Sequence, residues 1–196
     1  MQVKGTWLSD YVILIRNFIK NNDKGKKQLD EFLTEKDWET INQWILPSLL
    51  YPYDFFQRVG TAVYVVIAQE NKETTQAFGR IFLKKLIAVY KNLLVKGEVA
   101  ASLKKFAKFH QAYFKDVESR TYLIESTDKS ALMRLQLIKT DKEMRGAAGM
   151  AYQLAGSFEE IIEQAGGNKA KVYVEKEPDG NYLFKITWEI QKDPVK

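Results

Sequence analysis

The final third of the chain carries the pattern that most constrains its fold. KVYVEKE and NYLFKITWEI alternate apolar and polar residues on either side of PDGN, which is a strong turn signal. Earlier, TYLIES and ALMRLQLI are short segments of strand-forming composition separated by DKS. We therefore predict two antiparallel hairpins whose alternate side chains face a core.

A helix is predicted between the two hairpins. Thr140 and Glu143 resemble a capping box that opens it, and Gly166 and Gly167 close it. Its many small residues favour close packing on a sheet over a phosphate loop, because the lysine and hydroxyl of a P-loop do not follow Gly149. The resulting order is β-β-α-β-β, with the helix covering one face of a four-stranded antiparallel sheet.

The first two thirds of the chain are predicted to be helical with short connections. Ser9 is expected to cap a helix that runs to about Asn21, and Thr34 with Asp37 resembles a capping box for another that stops at Pro47. The residues expected on the buried face of the second helix are Trp38, Ile41, Trp44 and Ile45. This predicts an amphipathic helix that includes both tryptophans.

Two more helices complete the predicted helical part. FFQRVGTAVYVVIAQ is apolar nearly all round and indicates a buried helix, and the next helix runs from Thr74 until Gly97 ends it. We predict the α+β class: a single domain over residues 1–196, with an N-terminal helical part at 1–116 and a sheet part at 117–192.

Several kinds of chemistry are excluded by the residues present. The 196 residues include no cysteine and one histidine, so disulfides, thiolate metal sites and cysteine nucleophiles are absent. No GxSxG elbow and no HExxH motif occurs, and a non-enzymatic function is favoured. The N-terminal apolar run covers only 11–15, which favours a cytoplasmic protein without a membrane span.

His110 lies in FAKFHQAYF, which reads as an amphipathic helix. At 100° per residue, His110 falls near the middle of an apolar stripe, while lysines occupy the opposite side. An inward histidine among aromatic rings is either a core residue or a ligand, for example to haem iron. We interpret it as part of a core or of an apolar pocket wall between the helical part and the sheet. The predicted ligand-binding residues are Phe78, Phe82, Phe106, His110, Tyr113 and Phe114.

A basic segment gives a second functional alternative. Between Thr74 and Lys115 basic residues outnumber acidic ones nine to one, although the whole chain carries only +5. Such a surface could attract nucleic acid or another anionic surface. No nucleic-acid-binding signature accompanies the lysines, so a solvated helix face is favoured and nucleic acid is not the predicted partner.

The order of weak motifs resembles a paralogue-rich myxobacterial family of unknown function. The anchors are Gly5, Tyr51-Pro52, Phe56, Gly79-Arg80 and Trp188, and the resemblance covers nearly the whole chain. The layout of helices followed by β-β-α-β-β is also similar to haem nitric-oxide-binding sensor domains and to 4-vinyl-reductase-like small-molecule-binding domains.

These resemblances imply a sensory or adaptor module. In the haem sensors a histidine is followed by a Tyr-x-Ser-x-Arg motif that holds the propionates; His110 matches the first role, and no such motif occurs in this chain. We therefore predict a bacterial ligand-sensing or protein-interaction module that binds an apolar small molecule, a signalling partner or a second copy. No cofactor is predicted, and a haem-binding gas sensor that uses His110 is the alternative.

Overall fold

The computed structural model describes residues 1–190 and has an α+β fold. The helices are α1 (Gly5–Lys20), α2 (Gly25–Leu29), α3 (Glu35–Ile41), α4 (Tyr53–Ala62), α5 (Lys72–Val89), α6 (Val99–Gln111), α7 (Lys139–Glu143) and α8 (Ala147–Ala165). The strands are β1 (Gln2–Lys4), β2 (Leu50–Pro52), β3 (Phe114–Lys115), β4 (Arg120–Ser126), β5 (Ser130–Gln136), β6 (Gly167–Lys176) and β7 (Tyr182–Ile190). A π-helical turn (Val63–Ile67) extends α4, and a 3₁₀ turn (Lys91–Leu93) follows α5.

Both predicted hairpins are confirmed and form one antiparallel sheet. Its strand order is β4-β5-β7-β6, so the two hairpins are joined by the pairing of β5 with β7. The PDGN turn closes because Gly180 adopts a φ of +83°, which costs glycine little, and its N–H donates to the Glu177 carbonyl at 2.9 Å. The predicted fold class and the β-β-α-β-β order are therefore correct.

The first helix begins earlier than Ser9. The N–H groups of Gly5 and Thr6 donate to the carbonyls of Leu49 and Pro47 at 2.9 and 3.1 Å, which satisfies the donors that a side-chain cap would otherwise serve. Ser9 lies inside the helix, where its hydroxyl donates to the Thr6 carbonyl. The predicted cap at Ser9 is therefore wrong.

The capping box of α3 is confirmed, but its predicted length is not. The Asp37 N–H donates to the Thr34 hydroxyl, and the Asp37 carboxylate accepts from the Thr34 N–H. The helix then ends at Ile41 because the Arg16 guanidinium donates to the carbonyls of Ile41 and Gln43 and so caps the last turn. As a consequence Trp44 and Ile45 lie beyond the helix. The predicted burial of Trp44 is wrong, since it is 87% exposed, whereas Ile45 is half-buried.

Two other helix boundaries also differ from the prediction. The helix from Thr74 ends at Val89 instead of Gly97, because Tyr90 leaves the helical conformation and its ring packs edge-on against Phe109 at 5.0 Å. The helix expected from Thr140 is split into α7 and α8 by two successive turns at residues 141–147. Its predicted end is confirmed, since Gly166 has a φ of +102°.

The chain forms two compact units. Unit 1 comprises residues 1–75, 113–117 and 139–150, and unit 2 comprises 76–112, 118–138 and the described chain from Ala151. Unit 1 contains the small antiparallel sheet β2-β1-β3, which the sequence did not predict. The single domain with parts at 1–116 and 117–192 stays a prediction.

Unit 2 places two helices on one face of the four-stranded sheet. The buried face of the sheet carries Thr121, Ala131, Met133, Leu135, Tyr182, Phe184, Ile186 and Trp188. Phe158 of α8 packs edge-on against Phe184 at 5.1 Å, and α6 contacts β4. The predicted cover by the helix between the hairpins is confirmed, and α6 adds a second covering element.

Candidate functional site

The helix α6 places His110 inside unit 2, as its helical spacing predicts. Lys104, Lys105 and Lys108 are exposed, whereas Phe106 is fully buried and His110 is only 5% exposed. This separation of faces follows from the 3.6-residue period of an amphipathic helix. The predicted inward orientation of His110 is therefore confirmed.

A buried hydroxyl lies beside the imidazole of His110. The Thr121 Oγ1 atom is 3.4 Å from Nδ1 of His110, and Thr121 is fully buried on β4. Next along α6, the Gln111 side-chain amide donates to the Thr121 carbonyl at 2.9 Å, which ties the end of the helix to the strand. The same strand residue therefore fixes the helix and orients the ring.

Burial keeps the imidazole neutral. Loss of solvent lowers the pKa of His110 from 6.5 to about 4, because the charged ring cannot be hydrated there. At neutral pH one ring nitrogen consequently retains an unprotonated lone pair. A neutral imidazole is the form that coordinates metal ions.

Aromatic rings continue from His110 through unit 2. Phe106 lies one helical turn away, with its ring centre 6.0 Å from that of His110, and it meets Phe158 edge-on at 5.9 Å. Phe158 in turn meets Phe184, so the aromatic contacts run from α6 through α8 to β7. Edge-to-face packing of this kind adds specific stabilisation to simple burial.

The six residues predicted to bind a ligand are divided between the two units. Unit 2 holds Phe78, Phe82, Phe106 and His110, whereas unit 1 holds Tyr113 and Phe114. Phe82 is buried and Phe78 is half-buried on α5. Of the six, Phe106 and His110 lie in ring contact with each other.

Tyr113 and Phe114 belong to an aromatic cluster of unit 1. Trp7 meets Tyr113 edge-on at 6.1 Å and stacks on Phe114 at 6.2 Å, and Phe114 also contacts Phe56 and Tyr53. These contacts follow from the pairing of β1 with β3, which brings Val3 opposite Phe114. Within unit 1 Tyr113 is buried in this cluster and Phe114 is half-buried.

Sequence reasoning missed Thr121. A single threonine in a strand is unremarkable, and the alternation of TYLIES does not single it out, because both faces of that segment carry apolar residues. Its proximity to His110 depends on the pairing of helix and strand, which no local pattern encodes. Among residues 1–190, no cluster of three or more His, Asp or Glu side chains could hold a metal ion, and no helix is long and apolar enough to cross a bilayer.

Solved structures share this fold, whereas sequence comparisons find nothing. No family model matches the chain, and no curated protein matches it. The Fe(II) unliganded H-NOX protein from K. algicida is 16% identical, with 98% of each chain covered and a TM-score of 0.63. An oxygen-binding H-NOX domain related to soluble guanylate cyclases is also 16% identical, over 98% of this chain and 97% of that one, with a TM-score of 0.58.

A third structure comes from a study of haem distortion in the H-NOX family. It is 15% identical over 98% of this chain and 97% of the other, with a TM-score of 0.60. The similarity to haem nitric-oxide-binding domains inferred from the layout is thus confirmed for the fold. The prediction of no cofactor is contradicted, because the proteins that share the fold are described as haem proteins. The myxobacterial resemblance has no matching family model.

Proposed function

We propose that this chain is a haem-binding sensor domain in which His110 would ligate the iron. The observation that carries the proposal is a buried, neutral histidine whose Nδ1 faces a buried hydroxyl, in a chain with an H-NOX-like fold. This proposal replaces the general apolar ligand of the sequence-based prediction with a defined cofactor.

The chemistry of His110 fits an iron ligand. Histidines that bind metals through one ring nitrogen usually have the other nitrogen held by a hydrogen-bonding partner, which fixes the tautomer and the ring plane. Thr121 can fill that role, because a hydroxyl both donates and accepts and so accommodates Nδ1 with or without its proton. Nε2 is then the nitrogen assigned to the iron.

The surrounding residues of unit 2 favour a neutral and rigid ligand. Phe106 packs beside His110 and is itself held by an edge-on contact with Phe158. Burial also disfavours protonation of the imidazole, which would compete with iron for the lone pair. Bound haem would supply an iron atom to which a diatomic gas can coordinate. The residues of this chain would hold and orient the His110 imidazole and exclude water from it.

This chain differs from the haem sensors in the motif that binds the haem propionates. The Tyr-x-Ser-x-Arg motif that holds them in those sensors does not occur in the sequence. The proposal therefore assigns retention of haem to the His110 bond and to apolar burial. Weak dependence of haem affinity on salt concentration is the expected consequence, since surface ion pairs are screened by salt and buried apolar contacts are not.

Haem titration of the apoprotein tests the proposal. The wild-type protein should develop a Soret band that saturates at one haem per chain, and His110→Ala should lose or shift that band. Lys108→Ala is the matched control, because it lies on the exposed side of the same helix and should bind like wild type. Thr121→Val should retain haem with a displaced Soret maximum, because the axial ligand loses its orienting partner.

Two outcomes would reject haem binding through His110. One is the absence of a Soret band with haem in excess of a folded wild-type protein. The other is an identical spectrum for wild type and His110→Ala when circular dichroism shows both to be folded. In either case the apolar small molecule, the signalling partner and the homodimer remain predictions to be tested separately.

An anionic-surface binder is the second candidate, and one observation favours it. Lys84, Lys91, Lys96, Lys104 and Lys108 are all exposed and form no ion pair with another described residue. Cations without local partners can bind anionic surfaces. Binding of duplex DNA that falls steeply between two salt concentrations would support this function, and a flat salt response would exclude it.

A further inference from the structure

A small pocket in unit 1 lies among polar groups that the haem proposal does not use. It is formed by α1, α4, α7 and the start of α8, and its volume is about 30 Å³. Tyr11, Gln57, Thr61, Asp141 and Gly146 contribute to its lining. The lining combines aromatic carbon with amide, hydroxyl and carboxylate oxygen atoms.

Thr61 brings an unsatisfied hydroxyl to this pocket. The residue is 7% exposed, and its Oγ1 atom is buried with no hydrogen-bond partner among the described residues. Gly146 lies beside the same hydroxyl, and a side chain at position 146 would collide with it. A buried hydroxyl without a partner is destabilising, and such groups in native proteins usually meet an ordered water molecule.

Asp141 supplies acceptors on the same pocket. The residue is 2% exposed; Oδ2 accepts from the Tyr53 hydroxyl at 2.9 Å, and Oδ1 accepts from the Gln57 amide at 2.5 Å. A carboxylate offers about four lone-pair positions and can accept from several donors at once. Thr61 and Asp141 are thus two polar groups that one small molecule in the pocket can join.

We propose that this pocket binds one ordered water molecule that bridges the Thr61 hydroxyl and the Asp141 carboxylate. A water site requires roughly 10–15 Å³ and two to four polar partners, and organic ligands occupy roughly 300–1,000 Å³. The observed 30 Å³ therefore fits a water molecule. Water also matches the chemistry, because it can accept from the threonine and donate to the carboxylate.

The water molecule completes a connection between α4 and α7. Tyr53 and Gln57 on α4 already donate to Asp141 on α7, and Thr61 lies one further turn along α4. With the water in place, three successive turns of α4 reach the same carboxylate. The bridge thereby fixes the short helix α7, which has only five residues and cannot be stable alone.

Paired threonine variants test the site. If the Thr61 hydroxyl is bound to water, Thr61→Val should lower the melting temperature. Thr75→Val is the comparison variant and should also lower it, because it removes a buried hydroxyl that donates to the Asn71 carbonyl at 2.8 Å. Thr61→Ser keeps the hydroxyl and should retain the water. A crystal structure of the wild type should show one water peak within hydrogen-bonding distance of Thr61 Oγ1 and the Asp141 carboxylate, and the Thr61→Val crystal should lose it.

Three results would overturn the proposal. The first is a wild-type crystal that shows no water peak at this position. The second is a Thr61→Val protein that melts at or above the wild-type temperature, since removal of an unpaired hydroxyl is not destabilising. The third is a melting temperature that rises when potassium or ammonium replaces sodium at constant ionic strength, in the wild type but not in Thr61→Val. That result would identify a cation in the pocket instead of water.

Discussion

Acid should lower the free energy of unfolding of the apoprotein, because His110 is buried in its neutral form. His110 has a pKa of about 4 in the folded chain against 6.5 when exposed, so between these values the unfolded state binds a proton that the folded state excludes. Stability is therefore fully present above pH 6.5 and is lost as the pH falls toward 4. From pH 7 to pH 5 the loss is about 2 kcal/mol, at 1.36 kcal/mol per unit of pKa difference.

The variant His110→Gln removes this proton uptake and leaves a polar side chain of similar length. Because His110 is the only histidine, no other imidazole titrates in this range, and the carboxylates contribute equally to both proteins. Urea unfolding at half-unit steps from pH 7 to pH 5 gives the free energy of unfolding of each. The wild type should lose about 2 kcal/mol more than the variant.

Parallel pH profiles for the two proteins would refute this reasoning. Such a result would mean that His110 is hydrated or has a similar pKa in both states, and the neutral axial ligand would lose its physical basis. His110→Leu serves as a second variant if His110→Gln unfolds too easily. It also lacks a titrating group and should show the same shallow profile.

Three further substitutions test helix packing in unit 2 and helix capping in unit 1. Phe158→Ala should lower the free energy of unfolding by ~3–5 kcal/mol in urea, because it removes a fully buried ring that joins two others, and a loss under ~1 kcal/mol would contradict that role. Gly156→Ala should lower the free energy of unfolding by ~1–3 kcal/mol, since the new methyl group on α8 would collide with the backbone of Gln76 on α5. An unchanged melting temperature would show that the two helices can move apart freely. Thr34→Ala should cost ~1 kcal/mol through loss of the capping box, whereas Thr34→Ser should melt like wild type.

The features that the sequence predicted correctly depend on local spacing. Alternation and the PDGN turn identify β6 and β7, and the helical period places His110 inward. The features that it missed depend on contacts distant in the chain. The small sheet pairs Val3 with both Tyr51 and Phe114 through strands of two or three residues, too short to leave a periodic signal.

Trp44 and Thr121 also show that contacts distant in the chain are not predicted by local spacing. The spacing of Trp44 suits a buried helical face, but Arg16 ends the helix before it and leaves the indole exposed. Thr121 has no distinguishing spacing, yet the packing of β4 against α6 brings it to His110. No cofactor was predicted for a related reason: the propionate motif is absent, and the similarity to the solved H-NOX structures, at 15–16% identity, lies in the three-dimensional arrangement.

Resonance Raman spectroscopy of the haem-loaded ferrous protein tests the central proposal most directly. Incorporation of ¹⁵N-histidine labels a single residue, because the chain contains one histidine. If His110 ligates the iron, an iron–nitrogen stretching band should be present and should move to lower frequency in the labelled protein, because the ligating nitrogen is heavier. Identical spectra for labelled and unlabelled protein would contradict the assignment of His110 as the axial ligand.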